Sequence, residues 1–419
     1  MKSFPLVRTV GLLLLVALQA GAASFGLNDG DRVVFYGDSI TDQRLYTTFA
    51  ETYVVTRFPK LNISFVHSGW GGDRVGGGGG SIEVRLPRDV YAYKPTVMTI
   101  MLGMNDGSYR AFDEKIFDTY AKGYQHIIDA VKKELPGIRI TAIQPSPFDD
   151  VTQPPRFEGG YNAVLLRYSD FIKELAGREE LNVADLNRPV VAALEKARAT
   201  DAELAKKIIP DRVHPGPGGH LLMAGELLKS WNAPAVVSAV EIDASARKVS
   251  GATMAKVSDL KFGDAVSWTQ LDEALPMPLD LNDPVVALAV KSSDFIQALN
   301  QQTLKVKGLL AANYTLRIDE SEAGMFSKEQ LAEGINLAIL PTPMARQAGE
   351  VHKLTLQHNN IHFKRWRTVQ VPMADDKTPN VQKAVKGLMD SLDEEEAGVV
   401  QQQRAAAQPK LHRFQLTPK

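Results

Sequence analysis

From Asp29 to about Trp231, short apolar runs alternate with amphipathic helical patterns, and this alternation restricts the fold more than any other feature. Strands are expected at Val33–Tyr36, Ile63–His67, Val97–Leu102, Ile138–Gln144 and Leu181–Asp185. Helices are expected at Leu45–Arg57, Phe112–Lys133, Asn162–Leu175, Val190–Arg198 and His220–Trp231. Within the second, Phe112, Ile116, Tyr120, Tyr124 and Ile127 recur at helical spacing, which marks a core-facing stripe. Strands and helices in strict alternation build a parallel sheet covered on both faces. Ligands in such folds bind beyond the carboxyl ends of the strands. The residues that follow each strand are therefore the ones to read for chemistry.

After the first strand comes Gly37-Asp38-Ser39-Ile40-Thr41. Ser39 sits where a strand turns toward a helix, so the strand fixes it and the amides opening the helix face a developing anion. Read alone, Asp38, Ser39 and Thr41 serve equally well as helix caps. After the second strand comes Ser68-Gly69-Trp70-Gly71-Gly72-Asp73-Arg74, then glycine from 76 to 80. Glycine lets a backbone amide approach a substrate. The five-glycine run reads mainly as a flexible loop. It does not fit a phosphate-cradling loop, because no Gly-Lys-Ser/Thr follows and no helix start is evident. After the third strand comes Gly103-Met104-Asn105-Asp106. An asparagine here can donate its side-chain amide to an oxyanion or form an Asx-turn. Asp73, Arg74 and Asp106 read as solvated loop charges as readily as site residues.

Before the last helix of this region comes Pro210-Asp211-Arg212-Val213-His214-Pro215. Proline after His214 disfavours helical geometry, so the Asp-x-x-His pair lies on a turn. A carboxylate there can hold the imidazole Nδ1–H, fixing the tautomer and stabilising the imidazolium. His220, in the helix that follows, reads as structural or exposed.

Serine, glycine, asparagine and Asp-x-x-His follow in chain order, and each ordinary explanation would have to hold at once. Over residues 29–232 the chain resembles the SGNH subgroup of the GDSL esterase/lipase family, with Ile40 where the family name has leucine. The resemblance implies a flavodoxin-like three-layer α/β/α fold. It implies Ser39 as nucleophile, His214 as base and Asp211 as its partner. It implies Ser39, Gly72 and Asn105 as oxyanion donors, with the adjacent Gly71 as the alternative to Gly72. The residue set calls for no cofactor and no metal. For the substrate, the resemblance points to acetyl groups on a carbohydrate, a small-molecule or polysaccharide ester. A lipid-directed esterase (lysophospholipase, thioesterase or short-chain lipase) is the alternative within the enzyme class. A non-catalytic binding protein on a hydrolase scaffold is the alternative outside it.

The rest of the chain bounds where this chemistry happens. Lys2 and Arg8, an apolar run from Val10 to Leu18, and Ala20-Gly21-Ala22 form the three-part pattern of a secretory signal peptide. Residues 1–22 are therefore expected to be removed, and the protein exported to the periplasm or beyond without stable membrane insertion. The chain has no cysteine, so an exported product relies on its core rather than on disulfides. A formal net charge of -1 over 419 residues gives no electrostatic footprint for nucleic acid. The sequence leaves the oligomeric state open.

The expected division is a hydrolase domain at 23–234 and a β-rich and helical region at 235–419. In the latter, Val236–Ile242, Val285–Val290, Leu304–Val306 and Tyr314–Ile318 read as strands, with a turn at Asp319–Gly324. Ser327-x-x-Gln330 is a capping-box signature and Thr342-Pro343 a helix start. His352, His358 and His362 read as surface residues. Asp393–Glu396 reads as a solvated charge run, and Gln401–Pro409 as a flexible tail. The region reads either as a carbohydrate-binding β-sandwich or as an extension that shapes the mouth of the site.

Overall fold

The computed structural model describes residues 24–419, so the expected signal peptide lies outside the described residues. Five parallel strands form the first sheet: β1 (Arg32–Gly37), β2 (Ser64–Gly69), β3 (Val97–Met101), β4 (Arg139–Ile143) and β5 (Asn182–Ala184). Their order is β2-β1-β3-β4-β5, the flavodoxin-like order, with the switch point between β1 and β3. The interior of β1 is wholly buried, because both faces of the sheet are covered.

Helices α1 (Ser39–Asp42), α2 (Leu45–Arg57), α3 (Ile82–Asp89), α4 (Glu114–Glu134), α5 (Gly160–Glu179), α6 (Arg188–Thr200), α7 (Ala202–Ala205) and α8 (Pro217–Ser230) surround that sheet. α2 packs on α8, and α4 on α5. α3 corrects the sequence reading, since a helix does begin directly after the glycine run. The run itself is packed rather than loose, with Gly79 lying against the Trp70 ring.

The C-terminal region opens with β6 (Val236–Asp243), β7 (Lys248–Thr253), β8 (Ala255–Phe262) and β9 (Val266–Asp272). Helices α9 (Pro284–Lys291) and α10 (Phe295–Leu299) follow. α9 was expected as a strand. The apolar run is helical because Asp283 accepts from the Val285 and Val286 amides and Pro284 takes the first turn. Next come β10 (Gln301–Lys307), β11 (Asn313–Ile318), β12 (Ser321–Ser327), α11 (Lys328–Glu333) and β13 (Ile335–Asn336). The Asp319–Gly324 turn is shorter than expected, because β12 already pairs with β11 from Ser321. The capping box forms, with Ser327 and Gln330 each capping the other's amide.

With β14 (Leu411–Pro418), these strands make two sheets, ordered β13-β10-β6-β7 and β12-β11-β14-β9-β8. The central strand of the second is β14, the end of the chain. Trp268 stacks on Phe414 at 5.1 Å in a core continuous with that of the parallel sheet. Between β13 and β14 run α12 (Pro343–Phe363), a π-helical stretch at Lys364–Gln370, and α13 (Pro379–Ala406). α13 takes in most of the expected flexible tail, and Gln403 in it is buried. α12 packs against α2 and the edge strand β2.

The three histidines of α12 are accordingly not on the surface. His358 and His362 are buried, and His352 stacks on Phe49 of α2. Nor is the acidic run fully solvated, because Glu396 faces His358 and His362. Trp268 and Trp366 are buried, so neither offers a platform for a sugar. No helix among the described residues is long and apolar enough to cross a membrane.

Candidate active site

β1 ends at Gly37, and Ser39 is the first residue of α1. Asp38 caps that turn, its Oδ1 accepting from the Ile40 amide at 3.0 Å. The Asp38 side chain is buried, and burial pushes its carboxyl up to about 8, with Asp106 and Asp73 adding repulsion. Ser39 is half-buried at the carboxyl end of the sheet.

The turn before α8 brings His214 and Asp211 to Ser39. His214 Nε2 lies 2.8 Å from Ser39 Oγ, and His214 Nδ1 lies 2.7 Å from Asp211 Oδ2. Asp211 Oδ1 also accepts from the His214 amide at 2.7 Å and the Val213 amide at 2.9 Å. Burial alone would raise the Asp211 carboxyl, but these hydrogen bonds outweigh it and hold it below its ordinary value. Arg212, at φ 75°, makes the tight turn that allows the three-residue spacing. His220 has a separate role. It accepts from the Tyr46 amide through Nδ1 and reaches Gln43 Oε1 through Nε2, and burial pushes its imidazole down to about 3. It ties α8 to the start of α2.

The other sequence-derived residues lie on neighbouring loops. Asn105 follows β3, with Nδ2 donating to the Asp73 carbonyl at 3.0 Å. The two adjacent glycines differ. The Gly71 amide donates to Asp42 Oδ2 at 3.1 Å, whereas the Gly72 amide has no partner among the described residues. Gly72 is exposed at φ +76°, a conformation that favours glycine. Asp73 and Asp106 are buried rather than solvated, and burial pushes both carboxyls up to about 6. Asp73 Oδ2 pairs with Arg85 at 2.9 Å, and Asp106 Oδ1 accepts from the Val75 amide at 3.0 Å. Arg74 is exposed.

Two residues near the site escape the sequence reading. Tyr109 donates its hydroxyl to Asn105 Oδ1 at 2.8 Å, which fixes which end of the Asn105 amide carries the donors. Tyr109 and Ser108 both stand at positive φ, 55° and 58°. Two such non-glycine residues in a row store backbone strain, a feature that collects at functional sites. The second is Arg367, from the π-helical stretch, which reaches Asp42 Oδ1 at 3.2 Å. No spacing rule links Arg367 to the Ser39 turn; only the fold brings them together.

The GDSL-like lipase/acylhydrolase family matches residues 35–222, which contain all of Ser39, Gly72, Asn105, Asp211 and His214. An acetylxylan esterase of Geobacillus stearothermophilus is 25% identical over 230 residues, 48% of this chain and 94% of that enzyme. Among solved structures, BT4096, a gut microbial diltiazem-metabolizing enzyme, is 28% identical with a TM-score of 0.82. That likeness covers 94% of this chain and 99% of the other, so it extends through the C-terminal region. Parallel-sheet order, motif order and family match agree: residues 35–222 form an SGNH/GDSL-type hydrolase region, and the relatives support an ester hydrolase.

Proposed function

We propose that this chain is an exported serine carboxylic-ester hydrolase that removes acetyl groups from carbohydrate, working through Ser39, His214 and Asp211. The observation that carries the reading is the unbroken relay from Asp211 to His214 to Ser39, at 2.7 and 2.8 Å. A serine hydroxyl is a weak nucleophile until a base takes its proton. His214 accepts that proton as Ser39 Oγ attacks the ester carbonyl, and Asp211 stabilises the imidazolium. The oxyanion is held by the Ser39 and Gly72 amides and by Asn105 Nδ2. Loss of one such donor costs roughly 100- to 1,000-fold in rate. His214 then returns the proton to the leaving alcohol, and water releases the acetyl group by the same steps.

The acetylxylan esterase relative supports a carbohydrate acetyl ester as substrate. The diltiazem-metabolizing relative favours a second reading, an acetate ester of a bulky small molecule, since its likeness spans nearly the whole chain. Diltiazem itself carries an acetyl ester. Export rests on the N-terminal pattern, and a mature protein starting near Ala23 is the expected product. The test is a matched hydrolysis series on the mature protein. It uses p-nitrophenyl acetate, butyrate, octanoate and palmitate, acetylated xylan, pectin and diltiazem, with Ser39→Ala as control. Preference for acetate with release from a polysaccharide supports the first reading. Release from diltiazem alone supports the second. Preference for long chains moves the enzyme to lipids. Full turnover by Ser39→Ala removes Ser39 from the mechanism.

A further inference from the structure

The C-terminal region approaches the Ser39 turn at the end of α12 and along the stretch that follows it. α12 ends at Phe363, and the chain continues as a π-helix to Gln370. Such widened turns are rare and occur often at functional sites. Here it presents Trp366 and Arg367, adjacent in sequence, to the hydrolase domain. The Trp366 indole donates to Asp89 Oδ1 at 2.6 Å, which anchors the stretch on α3. The Arg367 guanidinium lies 3.6 Å from the centre of the Trp70 ring, with Nη1 3.2 Å from Asp42 Oδ1 and 3.5 Å from the Gly69 carbonyl.

Asp42 closes the turn that Ser39 opens, and its other oxygen accepts from the Gly71 amide at 3.1 Å. One carboxylate thus joins the nucleophile turn to the glycine loop, and Arg367 holds that carboxylate. The spacing between turn and loop is tight. A Cβ on Gly69 would lie 2.1 Å from the Asp42 amide nitrogen. Burial raises the Asp42 carboxyl, and Arg367 is the strongest group opposing that rise. Near the end of α12, Asn359 and Asn360 accept from Arg44, which follows the same nucleophile turn and stands at φ 59°.

We propose that Arg367 is a positioning residue for ester hydrolysis: it fixes Asp42 and, through Asp42, the loop that carries the Gly72 amide. This rests on the reading of Ser39 and Gly72 given above. Arg367 does not need to touch the substrate, because its charge is already committed to Asp42 and its face to Trp70. Its effect is on the reacting geometry, where displacement by about 1 Å can cost on the order of 100-fold.

The experiment uses the full mature chain and p-nitrophenyl acetate, with Arg367→Met, Arg367→Lys, Asp42→Ala, the Arg367→Met/Asp42→Ala double variant and Ser39→Ala. Each single loss is expected to lower kcat roughly 10- to 100-fold, with KM within about twofold. The double variant should be no slower than the worse single one, because both act through one contact. Added guanidinium should restore part of the Arg367→Met rate, and Arg367→Lys should lie between wild type and Arg367→Met. A folded Arg367→Met with wild-type kcat overturns the proposal. So do losses that multiply in the double variant, or a rise in KM alone. Where Arg367→Met does not fold, Asp42→Ala decides, since it leaves Arg367 on Trp70; an unchanged kcat there also overturns it. Turnover by Ser39→Ala would instead overturn the reading of the site itself, so the two failures are distinguishable.

Discussion

His358 of α12 lies 2.5 Å from Glu51 of α2, Nε2 to Oε1, and both side chains are buried at the seam between the C-terminal helices and the hydrolase domain. Glu396 approaches the other ring nitrogen of His358 at 3.5 Å. Glu51 also meets His67 Nε2 at 3.1 Å and Gln403 Nε2 at 3.0 Å. Burial opposes charge on His358, but the two carboxylates outweigh it and push the imidazole up to about 10. Burial likewise opposes charge on Glu51, yet His358 and His67 hold it far below its ordinary value.

This seam makes stability depend on pH, with a definite sign. The folded-state value of His358 lies above that of an unfolded histidine, near 6.5. Its contribution is therefore complete below about pH 6.5 and is lost as pH rises through about 10. Removing one member of a buried pair typically costs about 3–5 kcal/mol, because the other is left uncompensated. His358→Ala should lower Tm strongly at pH 6, and the gap to wild type should narrow toward pH 10. Thermal melts of both proteins across that range check this; a gap independent of pH would contradict it.

The strained Tyr109 supports a kinetic prediction. Its hydroxyl holds Asn105 Oδ1, leaving Nδ2 to donate to the Asp73 carbonyl and, in the proposed mechanism, to the oxyanion. Tyr109→Phe removes one hydrogen bond, and the amide of Asn105 becomes free to turn. The expected result is a fall in kcat of roughly 5- to 10-fold with little change in KM. In an Asn105→Ala background the same change should cost almost nothing. Steady-state kinetics on the four proteins decides; equal losses in both backgrounds would separate Tyr109 from Asn105.

The two adjacent glycines can be ranked in the same way. At Gly71 an added Cβ meets only Asp42 Oδ2, at 3.6 Å, an ordinary contact. At Gly72 there is open space, but φ +76° strains any residue with a Cβ by about 1–2 kcal/mol. Gly72→Ala should therefore shift its own amide and lower kcat more than about 10-fold, and Gly71→Ala should lower it less than about threefold. The opposite ranking would make Gly71 the donor.

What the sequence discloses and what it hides divide along physical lines. The parallel-sheet region is legible because each strand is a continuous buried run and each helix a stripe, so periodicity alone separates them. Ser39, Gly72, Asn105, Asp211 and His214 stand out because each follows a strand or precedes a helix in fixed order. Tyr109 and Arg367 carry no such signal. Tyr109 depends on two left-handed residues, and Arg367 comes from more than 300 residues beyond Ser39 along the chain. The Val285–Val290 run misleads because a short apolar stretch suits a buried helix as well as a strand; Asp283-Pro284 was the discriminating cue. His352, His358 and His362 mislead because their partners, Thr52, Phe49, Glu51 and Tyr93, lie on the hydrolase domain.

The end of the chain supports the last prediction. β14 pairs with β9 through Leu411–Leu416 on one side and with β11 through Phe414–Pro418 on the other. It inserts Phe414 and Leu416 into the core, both fully buried. Removing residues 411–419 would leave β9 and β11 with unpaired edges and expose Trp268, which now stacks on Phe414. A single Phe414→Ala change should already cost about 3–5 kcal/mol. The damage should not stop at this sheet, because its core is continuous with that of the parallel sheet. Both variants are therefore expected to lose soluble yield and protease resistance, and esterase activity should fall with them. Limited proteolysis alongside p-nitrophenyl acetate turnover measures this. A truncated protein that is soluble, resistant and fully active would show that the hydrolase domain stands without its C-terminal sheet.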